Sequence, residues 1–172
     1  MSDSPIVFVD TNVLLCADDA HDLPKQACAR DWLQALWQRR AGRVSTQVLG
    51  DYYVTATRTF GMPLGDARAK VRRFQLWQPW QIDHQTVETA WGVEARFGLN
   101  YWDALIVAAA AQSGATHVLT VDLQALPHGQ QIDGVTLLNP FLVTPVELAL
   151  ADEVPAVRLL PIAHPIAEKA SE

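Results

Sequence analysis

Two hydrophobic periods alternate along the chain, and their alternation predicts its architecture. Ile6-Val7-Phe8-Val9, Arg43-Val44-Ser45, His117-Val118-Leu119-Thr120-Val121 and Val135-Thr136-Leu137-Leu138 are short runs rich in apolar and β-branched residues, the composition of strands in a sheet covered on both faces. Trp80-Gln81-Ile82 is a weaker signal of the same kind. Between them lie longer stretches with apolar residues three and four apart. Pro24 to Arg40 carries Ala29, Trp32, Leu33, Leu36 and Trp37 on one stripe, and Pro63 to Trp77 carries Leu64, Ala67, Val71 and Phe74. A helix after Ser45 turns Leu49, Tyr52, Tyr53, Ala56 and Phe60 inward, and another spans about Gln85 to Phe97. Gly42, Gly61 and Gly98 stop these helices. Strands alternating with helices predict an α/β fold, a three-layer α/β/α arrangement around a central, mainly parallel sheet.

One helix differs from the rest. From Ala104 to Ala111 the apolar residues cover every face, so the segment Asn100 to Ala111 is expected to be buried all round. Its single charge, Asp103, falls in the first turn, where the helix dipole favours an anion; alone, that is ordinary helix-end stabilisation. Two further aspartates, Asp10 and Asp122, each follow a predicted strand. In open α/β sheets ligands bind outside the carboxyl ends of the strands, so both stand in a functional position by topology. Asp51 is more ambiguous. It lies off the buried stripe of its helix, on the face shared by Gln47, Thr55 and Arg58, where a solvated surface aspartate is also expected.

Composition sharpens this picture where it is uneven. The net charge of −6 argues against a polyanionic partner, yet Arg39 to Arg73 holds eight cations against Asp51 and Asp66, and the remainder of the chain carries −12. Arg68 and Arg72 share the outward face of their helix and are the candidate nucleic-acid contacts. Cys16 and Cys28 are too few for a disulfide framework or a thiolate zinc site, and the five histidines show no ligand spacing. A Gly-rich phosphate loop is lacking, which removes the chemistry of nucleotide-binding folds. The sequence shows neither an apolar span of about 18 residues nor a basic leader before a hydrophobic one, so a cytoplasmic protein without membrane association is expected. Beyond Phe141 the composition shifts to short apolar runs broken by Pro145, Pro155, Pro161 and Pro165. The predicted organisation is a domain at 1–141 and an appendage at 142–172 of unknown role.

If Asp10, Asp51, Asp103 and Asp122 meet, their repulsion calls for raised pKa values or a bound cation. All-oxygen ligation suits a hard ion, Mg²⁺ or Mn²⁺, which activates water and stabilises charge on a phosphate. The segments Val9-Asp10-Thr11-Asn12-Val13-Leu14, Ser45 to Tyr53, Tyr101-Trp102-Asp103-Ala104-Leu105-Ile106 and Leu119-Thr120-Val121-Asp122-Leu123 resemble, in order and setting, the PIN-domain family, and more narrowly the VapC-type toxins of bacterial toxin–antitoxin pairs. The resemblance covers about residues 5 to 141. It implies that Asp10, Asp103 and Asp122 are metal-site acids, and that Asp51 occupies the place of a second acid that is usually glutamate. It further implies a Mg²⁺- or Mn²⁺-dependent endoribonuclease, usually homodimeric, inhibited by a small antitoxin that enters or covers the acidic cleft. The alternative is a module whose metal site has decayed and which binds a partner protein or RNA without cleaving.

Overall fold

The computed structural model describes residues 4–123 and 126–152. Five strands form one sheet: β1 (Val7–Val9), β2 (Gly42–Arg43), β3 (His117–Leu119), β4 (Gln131–Ile132) and β5 (Val135–Leu138). Six α-helices accompany them: α1 (Thr11–Cys16), α2 (Leu23–Arg39), α3 (Thr46–Arg58), α4 (Leu64–Phe74), α5 (His84–Phe97) and α6 (Tyr101–Gln112). The strand order is β2-β1-β3-β5-β4, parallel except for the β4 edge. β1 pairs with β2 on one side and β3 on the other, with Val7 opposite both Gly42 and His117. The chain therefore leaves β1 in opposite directions across the sheet, which opens a crevice at the carboxyl ends of β1 and β3.

Burial follows the hydrophobic pattern except at Phe60 and Leu64, which were expected inward but are exposed, Phe60 just past the end of α3 and Leu64 at the start of α4. Val7, Phe8 and Val9 are wholly inaccessible, as a strand with layers on both faces must be. Every residue of α6 from Ala104 to Ala110 is buried, with α5 packed against it. Trp32 anchors α2 in the core and donates its indole N–H to the carbonyls of Pro140 (3.3 Å) and Val143 (3.1 Å). Leu150 is buried too, so the chain from Pro140 to Leu150 closes over α2. Of the 142–172 appendage expected from the sequence, residues 153–172 lie outside the described residues.

Several local expectations change. The helix from Pro24 is closed by left-handed Arg40 (φ 53°), and Gly42, expected to stop it, already lies in β2. Trp80 to Ile82 is not a strand: Trp80 makes one parallel bridge to Ser45, with Trp80 N–H on Val44 O (2.9 Å) and Thr46 N–H on Trp80 O (3.0 Å). Ser45 is already the cap of α3, its hydroxyl accepting from Val48 N–H, so the partner strand has ended there. The helix expected to Trp77 is α-helical only to Phe74, and Gln75–Trp77 tightens into a 3₁₀ turn closed by left-handed Gln78. β4 was not expected. It forms a hairpin with β5 through Asp133-Gly134, both at positive φ (49° and 85°), the two-residue turn whose twist matches paired strands. Among the described residues no helix is long and apolar enough to cross a membrane.

Candidate active site

Asp10 ends β1 and caps α1. Its Oδ1 accepts from Thr11 N–H at 2.7 Å and its Oδ2 from the Thr120 hydroxyl at 2.9 Å. Asn12 ties the same corner together: its carbonyl oxygen accepts from Val121 N–H (3.2 Å), and its amide donates towards Thr120 Oγ1 (3.4 Å). Asp10 is thus oriented by the first turn of α1 and the end of β3, while only 8% of its surface reaches solvent. Across the crevice Asn100 caps α6, accepting from Asp103 N–H (3.0 Å) and donating to Asp103 Oδ2 (2.8 Å). This reciprocal cap fixes the carboxylate that the sequence places in the first turn.

All four predicted acids line one cleft of about 440 Å³: Asp10 and Asp122 from strand ends, Asp103 from α6 and Asp51 from α3. Thr11, Asn12, Gln47, Thr55 and the exposed Trp102 share its walls, and among the described residues no cationic side chain lines it. Arg68 and Arg72 are elsewhere. They are exposed on α4, outside the cleft, and without a partner among the described residues. Much of the basic segment is engaged internally: Lys70 pairs with Asp18, Arg39 with Asp152, Arg73 lies over Trp37, and Arg43 donates to the carbonyls of Gly42 and Arg40.

Uncompensated charge is written into the acids. Burial raises Asp10 to about 6; its bonds from Thr120 and Thr11 oppose this, and the nearby Asp103 and Asp51 charges add to it. Burial also raises Asp103, against the Asn100 hydrogen bond and with repulsion from Asp122. Asp51 stands at the open rim, where the cleft walls remove part of its hydration and raise it as well. Sequence reasoning missed Gln47 and Trp102 as parts of this cleft, and Thr120 as the buried hydroxyl that orients Asp10. Gln47 and Thr55 were visible as the helical neighbours of Asp51, but their face read as solvated. For Thr120 only its place beside a strand-end acid was a signal.

Chemically, the donor set fits a hard divalent cation. Its acids offer only oxygen, and among the described residues no cation balances their charge and no donor reaches the buried Oε1 of Gln47, another lining residue. The acids line the cleft without being gathered round one point: among the described residues no group of three or more acid, histidine or cysteine side chains is placed to hold one ion. A hard cation bound there would draw part of its ligation from water, as Mg²⁺ commonly does.

A mainly parallel α/β sheet with an acidic cleft at its switch point defines the class of protein. The chain belongs to the PIN domain family, which matches residues 7–126. Solved structures with a similar fold include a toxin and toxin–antitoxin complexes. A toxin–antitoxin complex from Klebsiella pneumoniae is 17% identical with a TM-score of 0.58, covering 78% of this chain and 97% of its own. The Rickettsia felis VapBC2 complex, bound to a DNA fragment from its promoter, is 15% identical with a TM-score of 0.51, covering 77% and 96%. Mycobacterium tuberculosis VapC20, a Sarcin-Ricin loop cleaving toxin, is 21% identical with a TM-score of 0.50, covering 65% and 86%. Comparison by sequence with curated proteins gives no match.

Proposed function

We propose that this protein is an endoribonuclease dependent on Mg²⁺ or Mn²⁺, acting as the toxin of a toxin–antitoxin pair in the cytoplasm. The observation that carries the reading is that four carboxylates line one cleft at the carboxyl ends of β1 and β3, with no cationic side chain among the described lining residues. Asp10, Asp103 and Asp122 would hold the metal, with Asp51 assisting from the rim. A divalent cation there supplies Lewis-acid polarisation of a phosphodiester and a nucleophilic water at neutral pH. The chain's own groups do the positioning. Thr11 and Thr120 aim the two Asp10 oxygens, Asn100 holds Asp103, and Trp102, 64% exposed on the cleft wall, offers a face for an unpaired base to stack on.

The same negative cleft is complementary to a cationic segment of a small antitoxin, which would displace both metal and RNA. Trp91, exposed on α5 and not among the cleft-lining residues, offers apolar surface that a homodimer would bury. Domain limits of 1–141 and 142–172 remain part of this proposal, with the nuclease activity assigned to the first.

The deciding experiment incubates purified protein, freed of any partner, with a mixed RNA pool with and without Mn²⁺ and sequences the cut ends. Metal-dependent cuts at preferred sequences are expected. RNA left intact in both arms favours the non-cleaving alternative, a decayed binding module, which the open arrangement of the acids also allows. Arg68 and Arg72 give a second expected result. Changing both to Glu should weaken RNA binding and lower the slope of log K against log salt by about 2, because each lost phosphate contact removes about one released counterion. An unchanged slope, read by filter binding across a salt series, makes that face of α4 merely solvated.

A further inference from the structure

Gln47 lies one turn before Asp51 on α3, and both side chains line the acidic cleft. They differ in depth: Asp51 is exposed at the rim, whereas the Gln47 amide oxygen is shut off from water. That oxygen accepts no hydrogen bond among the described residues. Buried acceptors are almost always satisfied, so an orphan one beside four carboxylates needs a reason. Asp10, in the same cleft, already has Thr11 N–H and the Thr120 hydroxyl, and Asn12 has Val121 N–H, whereas the buried Gln47 Oε1 has no donor among the described residues. The terminal amide torsion of glutamine is broad and two-fold, so a modest turn presents the oxygen to the cleft from either side. A carbonyl oxygen is a good ligand for a hard cation, and it adds a donor without adding a fifth negative charge.

We propose that Gln47 Oε1 is a further oxygen ligand of the cation site, reaching deeper into the cleft from the same face of α3 that carries Asp51. This rests on the metal-dependent reading above. It assigns the pair Gln47 and Asp51 a divided role, the amide approaching the ion and the carboxylate contributing charge from the rim. The amide oxygen then finds in the loaded protein the partner it lacks in the free one.

The test is calorimetric titration of the full-length protein with Mn²⁺ alone, with thermal melts in metal-free and Mn²⁺ buffers. Gln47→Leu should weaken Mn²⁺ binding by about tenfold, the scale on which displaced site groups act. Its metal-free Tm should be unchanged or higher, because an unsatisfied buried acceptor is replaced by an apolar group of similar shape. Gln47→Glu should keep Mn²⁺ binding within about threefold or tighten it, and should lower the metal-free Tm by adding a like charge. A merely structural glutamine gives the opposite pattern, a lower metal-free Tm with Mn²⁺ affinity intact. Parent-like affinity in Gln47→Leu overturns the proposal while leaving the metal reading standing. If the parent itself binds no Mn²⁺, the metal reading and the proposal fall together. Should Gln47→Leu not fold, Gln47→Glu decides: a loss of Mn²⁺ affinity there overturns the assignment.

Discussion

Asp10→Asn is expected to lower metal-dependent RNA cleavage by at least about 10²-fold and, in metal-free buffer at neutral pH, to make the protein more stable by about 3 kcal/mol. The two effects have one source. Burial and the Asp103 and Asp51 charges lift the Asp10 pKa from its ordinary 3.8 to about 6 in the folded protein. Between those values the folded state holds a proton that the unfolded chain has released, so metal-free stability falls as pH rises from about 4 to about 6. Above that window the ionised carboxylate opposes folding by the full shift, at about 1.4 kcal/mol per pKa unit. Asparagine removes the charge and keeps the geometry: Thr11 N–H still finds an oxygen, and the Thr120 hydroxyl accepts from the amide instead of donating. The gain should therefore be present at pH 7.5 and absent near pH 4. Saturating Mn²⁺ should reverse the order, since the parent gains the free energy of cation binding that the variant lacks. Melts at both pH values, with and without Mn²⁺, check all of this. A variant that cuts at the parent's rate, or is no more stable than the parent at pH 7.5 without metal, removes Asp10 from the site.

What the sequence made legible is what depends on period and position. The all-apolar stretch from Ala104 to Ala111 called for burial on every side, and α6 is buried from Ala104 to Ala110, with Ala111 partly so. Asp10 and Asp122 were legible because parallel sheets bind at the carboxyl ends of their strands, and both line the cleft. The helical face of Gln47, Asp51 and Thr55 was not, because a polar face against solvent and a polar face against a cleft have the same pattern. Only the tertiary approach of α1 and α6 distinguishes them. Charge counting met a similar limit. Lys70, Arg39, Arg43 and Arg73 contributed to the basic segment, yet each has an internal partner that sequence separation concealed. β4 escaped because two residues carry no period; its real signal was the Asp133-Gly134 turn.

Asp51 should prove the acid on which activity depends in degree rather than outright. Its carboxylate is exposed at the rim while Asp10 is buried and doubly oriented, so loss of the two groups cannot have equal consequences. As a family member the chain is expected to carry glutamate there, and aspartate brings the carboxylate back by about 1.5 Å if the backbone is unmoved. Mg²⁺ demands near-ideal octahedral oxygens at about 2.0–2.1 Å and gives up its waters reluctantly, so contact through a bound water suits the shorter side chain better than direct ligation. Displacing a catalytic group by about 1 Å can cost about 10²-fold, which would make this a slow enzyme or one favouring the more tightly bound Mn²⁺. Asp51→Glu is therefore expected to keep or raise the cleavage rate and to narrow the preference for Mn²⁺ over Mg²⁺. Asp51→Ala should lower the rate by about tenfold, clearly less than Asp10→Asn, because a water-mediated partner acts on the scale of outer-shell groups. Initial rates for the three variants and the parent, each in Mg²⁺ and in Mn²⁺, separate these outcomes. Should Asp51→Ala cut RNA with unchanged rate and metal dependence, the exposed rim position is simply a solvated one, and Asp10, Asp103 and Asp122 work without it.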